Sequence, residues 1–363
     1  MSDLAPNNTL SELLSKDKKD IRAFTLPELQ TLFVASGLPA FRARQVYAWL
    51  WQKAYTSFDE MNDLPKNLRT LLSDTFEIRA IKPAREQRSA DGTIKVGFEL
   101  YDAHWIEGVL ITAPEQQRMT ACVSSQVGCS LACKFCATGF LKMRRNLQAD
   151  EIFDQVVHID RLAKQHHGQA LTNIVYMGMG EPLLNYKNVL KSIERISAPD
   201  GLNMSPRRIT VSTAGIAKMI AKLADDDTRF NLALSLHAAN DEKRNEIMPI
   251  NESNNLQALA EALRYYYQKL KRPVTYEYIV FKQINDSLSD AAQLLRFCRN
   301  IPCKVNLIEY NLVEGVPYEK TSEDRLEAFH QYLERNGITA TVRRSRGKDI
   351  DAACGQLANK IEK

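Results

Sequence analysis

From about residue 95 onward, strand-like runs alternate with helix-like runs, and this alternation restricts the fold more than any other feature. The strand-like runs are residues 119–124, 172–177, 208–212, 231–236, 275–281 and 304–310. The helix-like runs are 150–165, 186–196, 216–224, 256–270, 290–299 and 322–336. Six βα repeats predict an α/β fold around a parallel sheet, either open or closed into a barrel. In such folds the chemistry gathers on loops after the strands' C-terminal ends. Residues 97–101 and 105–112 read as a hairpin ahead of the first repeat.

Residues 1 to about 95 read as helical instead. Segments 26–35 and 42–51 carry apolar residues three and four apart. Thr25 followed by Glu28 is a capping-box start, and Gly37, Leu38 and Pro39 separate the two segments. Residues 64–76 read as a third helix. The expected organisation is a helical accessory domain over 1–95, a candidate for RNA binding, and an α/β catalytic domain over 96–363. Arg42, Arg44 and Lys53 alternate with Tyr47, Trp49, Trp51 and Tyr55. That mixture suits RNA, and it also suits a solvated face over a core stripe.

A chain of 363 residues buries enough surface to fold without staples. Its 48 basic and 44 acidic residues nearly balance, so any nucleic-acid surface must come from local clustering. No run of about 18 apolar residues suggests a membrane span. The N-terminus lacks the basic-then-apolar pattern of a secretory signal. The expectation is a cytoplasmic protein, monomeric, with no membrane partner.

Seven cysteines are present, and Cys122, Cys129, Cys133 and Cys136 fall close together. An odd count in a reducing compartment argues for metal binding or thiol chemistry over structural disulfides. Cys129, Cys133 and Cys136 form C-x3-C-x2-C directly after the first predicted barrel strand, a spacing expected by chance only roughly 0.003 times in such a chain. Three thiolates leave two readings open. One is an iron–sulfur cube with one iron free for another ligand. The other is a structural zinc ion completed by Cys122 or by a histidine such as His158.

The triad resembles that of the radical S-adenosylmethionine (SAM) enzymes, and Gly178-Met179-Gly180-Glu181-Pro182 after the second strand resembles their G-E-P motif. The resemblance narrows at Cys122-Val123-Ser124-Ser125-Gln126-Val127-Gly128-Cys129 and at Arg346–Leu357, which includes Cys354. These segments are similar to the dual-specificity adenine-C2 methyltransferases of ribosomal and transfer RNA. The likeness runs through nearly the whole chain, with no departure at the triad or at Cys354. A sibling family that methylates C8 of the same adenine is the nearest alternative.

The resemblance implies a partial (β/α)6 radical SAM barrel with one 4Fe-4S cluster on Cys129, Cys133 and Cys136, and two SAM molecules per turnover. It implies that Cys354 takes a methyl group from the first SAM. The second SAM yields a 5′-deoxyadenosyl radical that activates this methyl for addition to adenine C2. Glu107 removes the C2 proton. Cys122 then attacks the Cys354 sulfur, and a transient disulfide releases the methylated base. The implied substrates are 23S ribosomal RNA at the peptidyl-transferase centre and the transfer RNA anticodon loop. A reductant such as flavodoxin supplies electrons. The implied SAM contacts are Gly180, Glu181, Ser212, Ser235, Leu236, His237 and Asn311.

Read without the resemblance, several of these residues have plainer roles. Glu107 suits an outward-facing strand position. Ser212, Ser235 and Asn311 suit caps or turns. Arg343, Arg344, Arg346 and Lys348 can lower the Cys354 pKa and hold phosphates, or simply form a solvated loop. Lys142, Arg144 and Arg145 have the same two readings. Cys298 and Cys303 read as inert. Two other classes stay open: a zinc-stabilised RNA-binding protein, and a thiol–disulfide enzyme using Cys122 and Cys354.

Overall fold

In the computed structural model, residues 9–10 and 18–358 are described. The N-terminal unit holds helices α1 (Leu26–Ala35), α2 (Ala40–Trp51) and α3 (Lys66–Thr75), tied at its base by the short parallel strands β1 (Lys19–Asp20) and β2 (Phe76–Glu77). Helix α1 begins where its capping box predicts, with the Thr25 backbone N–H donating to Glu28 Oε2 at 2.7 Å. The aromatic stripe of α2 faces inward: Tyr47, Trp49 and Trp51 are all buried. Trp51 meets Phe153 edge-on, with ring centroids 5.1 Å apart. A buried Arg22 pairs with Asp154 at 2.8 Å and Asp150 at 3.1 Å. Phe153, Asp150 and Asp154 lie on α4 (Ala149–His167), so the stripe docks the unit onto the barrel and does not form an open stacking face.

Ten strands form one sheet, in the order β14-β13-β12-β11-β10-β9-β6-β5-β4-β3. Strands β3 (Lys82–Arg88), β4 (Ile94–Glu99), β5 (Trp105–Ala113) and β6 (Arg118–Cys122) run as an antiparallel meander. After β6 a small antiparallel pair, β7 (Gln126–Val127) and β8 (Arg145–Asn146), brackets the cysteine loop. The sheet then continues in parallel through β9 (Asn173–Tyr176), β10 (Ile209–Thr213), β11 (Asn231–Ser235), β12 (Val274–Val280), β13 (Cys303–Glu309) and β14 (Ala340–Arg343). Helices α5 (Tyr186–Ser197), α6 (Ala217–Asp225), α8 (Leu256–Leu270), α9 (Leu288–Cys298) and α10 (Glu323–Arg335) cover it.

All six expected βα repeats are present, in a partial barrel. Besides the two-residue strands β1, β2, β7 and β8, three elements were not anticipated. Residues 82–88, within the span read as helical, form an edge strand whose side chains are nearly all exposed, so no apolar alternation marks it. β14 is four residues long. Helix α7 (Asp241–Ile247) is short and polar, and starts on an Asn240 cap.

The barrel is open between its edge strands β14 and β3. The chain after β14 crosses this opening as a strap. Gly347 N–H donates to Asp91 Oδ2 at 2.8 Å. Asp349 accepts from Ser89 Oγ at 2.6 Å and from Ala90 N–H at 3.2 Å. Lys348 Nζ, on the other side, reaches the buried Glu309 at 2.7 Å. Cys354 lies on this strap.

Candidate active site and family

Cys129, Cys133 and Cys136 lie on the loop leaving β7. Its base is tight: Gly128 has φ +76°, and a Cβ there would stand 2.4 Å from the Lys142 carbonyl oxygen, so only glycine fits. All three cysteines line one cavity of about 860 Å³ that opens to solvent. Gly180, Glu181, Ser212, Ser235, His237, Glu277 and Cys354 line it as well. These residues come from separate loops and strand ends, as the barrel reading expects.

The predicted SAM contacts divide into two groups. Gly180 has φ +97°, and a Cβ would come within 2.5 Å of the Gln126 side chain. Glu181 is buried and accepts the N–H groups of Ala214 at 2.8 Å and Leu183 at 3.0 Å. Burial raises its pKa, and these bonds oppose that shift. Ser212 and Ser235 touch through their hydroxyls at 3.2 Å. His237 Nδ1 accepts the Ile279 N–H at 3.1 Å, so a neutral ring carries its proton on Nε2. Leu236 and Asn311 are not on the cavity lining. Leu236 is fully buried and contributes its backbone N–H to Glu277. Asn311 sits behind Cys354 and donates to its carbonyl at 3.2 Å.

The thiols share a low-dielectric wall. Burial pushes Cys129 up to about 11 and raises Cys133 and Cys136 as well. Arg244, fully buried, counters this field near Cys133. It donates to the carbonyls of Ala214 at 2.6 Å and Leu236 at 3.0 Å, and to Asn251 Oδ1 at 2.7 Å. Among the described residues, no three His, Cys, Asp or Glu side chains converge closely enough for one metal ion. Cys122 neighbours Cys354 and has none of the triad cysteines among the groups acting on it, and His158 meets Phe98 edge-on with centroids 5.5 Å apart. The donor set fits a cube held at three corners: three sulfurs on one cavity, a buried cation beside them, and room for a further ligand.

Cys122 ends β6 and is nearly fully buried. Burial, with the adjacent Cys354 sulfur, pushes it up to about 12. Burial also raises Cys354, and Arg343 opposes that rise. Arg343 pairs with Glu277 at 3.6 Å, and Asn306 Nδ2 donates to the other Glu277 oxygen at 2.8 Å. Both cysteines are free.

Glu107 lies on β5, outside the cavity lining and almost fully buried. It pairs in register with Gly97, which puts Lys95, two residues along β4, on the same face. Lys95 Nζ is 3.6 Å from Glu107 Oε1 and 3.3 Å from the Asp351 carbonyl. Sequence reasoning missed Glu277, Arg244 and Lys95. For Glu277 and Lys95 there was a signal: Glu277 is the one charge in Val274–Val280, and Lys95 stands between apolar Ile94 and Val96 in a strand whose other charge is its last residue, Glu99. Arg244 sits in a polar segment and gave none.

The family model described as "Radical SAM superfamily" matches residues 123–297. The one described as "Ribosomal RNA large subunit methyltransferase N-terminal domain" matches residues 19–78. The chain is 57% identical to the probable dual-specificity RNA methyltransferase RlmN of Christiangramia forsetii, across 94% of this chain and 97% of that one. It is 56% identical to the protein of the same name from Cytophaga hutchinsonii, across 94% and 93%. A crystal structure of a radical SAM methyltransferase from Sphaerobacter thermophilus superposes with a TM-score of 0.88 at 42% identity, covering 93% of this chain and 99% of that one. With the cavity, its cysteine triad and the partial barrel, these likenesses place the chain in the RlmN family of the radical SAM superfamily.

Proposed function

We propose that this chain methylates C2 of an adenine in the peptidyl-transferase centre of 23S ribosomal RNA and of an adenine in the transfer RNA anticodon loop. Cys354 serves as methyl carrier and Cys122 as resolving thiol. The observation that carries this reading is that Cys354 lines the same cavity as the cysteine triad, with Cys122 as its neighbour. The names of the relatives support RNA as the substrate class. Flavodoxin or a similar reductant, a monomeric state and a cytoplasmic location belong to the same proposal, as does RNA contact by residues 1–95. Among the described residues, no helix is long and apolar enough to cross a membrane.

Adenine C2 is an electron-poor amidine carbon, with neither a lone pair nor an easily lost proton. Cys129, Cys133 and Cys136 would hold a 4Fe-4S cluster, and Gly180, Glu181, Ser212, Ser235 and His237 would hold SAM. When bound, this pair supplies the methyl group and the one-electron chemistry that activates it. The protein's own residues do the rest. The Cys354 thiolate, favoured by Arg343, accepts the methyl group on sulfur. The target adenine must leave its stack to reach this sulfur. Glu107 takes the C2 proton once the base is attached to the Cys354 methyl carbon. The Cys122 thiolate then attacks the Cys354 sulfur. The S–S bond forms as the sulfur–carbon bond breaks, and that bond's electron pair stays on carbon, which takes up a proton.

The test is nucleoside mass spectrometry on a strain lacking the gene beside its parent, with ribosomal and transfer RNA separated before digestion. Loss of 2-methyladenosine from both pools is the expected result. Loss of 8-methyladenosine would instead favour the C8 sibling reaction. No change in either nucleoside would overturn the substrate assignment.

A further inference from the structure

Of the large apolar side chains among the described residues, Leu312 and Phe140 are the two most exposed, at 68% and 64%. Both stand beside the strap that carries Cys354. Phe140 ends the turn Ala137–Phe140 after the cysteine triad. This turn holds the strap twice: Ala137 N–H donates to the Gly355 carbonyl at 2.7 Å, and Thr138 Oγ1 to the Leu357 carbonyl at 2.6 Å. On the other flank, Gln356 Nε2 donates to the Leu312 carbonyl at 3.0 Å. Asn311, next to Leu312, donates to Cys354 itself. Two loops hydrogen-bonded to the strap thus present exposed apolar side chains.

Every charged residue of the loop 129–144 is basic. Lys134, Lys142 and Arg144 on the same loop are all exposed. None of the three pairs with a carboxylate among the described residues. The contrast with nearby Arg145 is direct, since its guanidinium is spent on Asp102 and Glu151. An exposed ring with unpaired cations, on a loop that also lines the cavity, is the composition that holds unpaired nucleotides: the ring stacks a base, and the cations track the phosphates.

We infer that Phe140 and Leu312 form a two-sided platform for the nucleotides flanking the target adenine, with Lys134, Lys142 and Arg144 holding their phosphates. The inference rests on the RNA substrate proposed above and adds which surface grips it. Seating the flanking bases here holds the strand open over Cys354 and offsets part of the cost of unstacking the target base.

The test titrates an RNA hairpin with an unpaired loop adenine against the anaerobically purified holoenzyme, following binding by fluorescence anisotropy. Methylation of Cys354 by SAM alone is scored by mass spectrometry in the same preparations. Phe140→Ala should weaken hairpin binding about tenfold, and Phe140→Trp should restore it. Leu312→Ser should weaken binding less. Lys142→Ala with Arg144→Ala should lower the slope of log Kd against log salt by about 0.7 for each phosphate no longer neutralised. Cys354 should still be methylated without RNA in every variant. Unchanged affinity in Phe140→Ala would overturn the platform while leaving the RNA substrate intact. Loss of affinity together with Cys354 methylation would also overturn it, because the change would then have disordered the strap. A wild-type protein that methylates Cys354 but binds no RNA would overturn the RNA reading itself.

Discussion

Glu107 Oε2 accepts the backbone N–H of Ala358 at 2.9 Å, so the proposed base is fastened to the segment that carries Cys354. Its other oxygen faces Lys95. The carboxylate thus anchors the strap, and its proposed second role is to take the C2 proton. Glu107→Gln separates these roles, because the amide oxygen can still accept from Ala358 but no longer binds a proton at neutral pH. Turnover on RNA is expected to fall at least a hundredfold, within the usual range for a lost general base. Cys354 should still acquire its methyl group, visible in the intact mass. Normal turnover would return Glu107 to an anchoring role alone.

The triad has no redundancy. Each cysteine lines the same cavity, and the proposed cluster takes one corner from each. Replacing any one of Cys129, Cys133 or Cys136 by Ala should remove the brown colour of anaerobically purified protein and abolish methyl transfer to RNA. Iron content and the visible spectrum check this, and a variant with full iron and activity would sink the cluster assignment.

Cys122 is buried beside Cys354 with no role in the triad. Removing it takes away the nucleophile placed to free the Cys354 sulfur. Cys122→Ala should therefore accumulate a covalent protein–RNA species that survives denaturing electrophoresis and disappears on ribonuclease digestion. Free RNA with normal turnover would deny Cys122 the resolving role.

Much of the barrel was legible because its parallel strands are buried on both faces and read as apolar runs. The motif residues were legible because their spacing is local: Cys129, Cys133 and Cys136 share one loop, and Gly180 and Glu181 are adjacent. The edge strand β3 was not, since an exposed edge selects charge over alternation. The Tyr47–Trp51 stripe was ambiguous until α4 was seen to cover it. Contacts such as Ala358 with Glu107 or Gly347 with Asp91 join residues more than 200 positions apart, and no local pattern encodes them.

His237 gives the stability a pH dependence of definite sign. Burial, helped by Arg244, lowers its pKa to about 3 from an ordinary 6.5. The unfolded chain therefore binds this proton more readily than the folded one. The contribution is whole above pH 6.5 and is lost as pH falls from there toward 3, at up to about 1.4 kcal/mol per pH unit. His237→Gln should flatten the fall in unfolding free energy between pH 7 and 5. Urea denaturation of both proteins across that range checks it, and equal slopes would remove His237 as the cause.

The strap's seat on the β3–β4 turn is reciprocal. Asp91 takes the Gly347 N–H with one oxygen and the Thr93 N–H with the other, at 2.8 and 2.9 Å. Asp349 reaches back to Ser89 and Ala90. Each carboxylate holds its partner segment through hydrogen bonds to a charged group, weakened where solvent screens them. Asp91→Ala should loosen the strap locally, leaving the barrel core folded, since the turn lies at the open edge. The expected result is faster alkylation of Cys354 by iodoacetamide with a melting temperature lowered by only a few degrees. Asp91→Asn keeps an acceptor oxygen and should stay close to wild type. If the two aspartates act as one clamp, adding Asp349→Ala to Asp91→Ala should cost less than the sum of the single changes. Strict additivity, with unchanged Cys354 reactivity, would mean that the two bonds stabilise the turn without positioning the thiol.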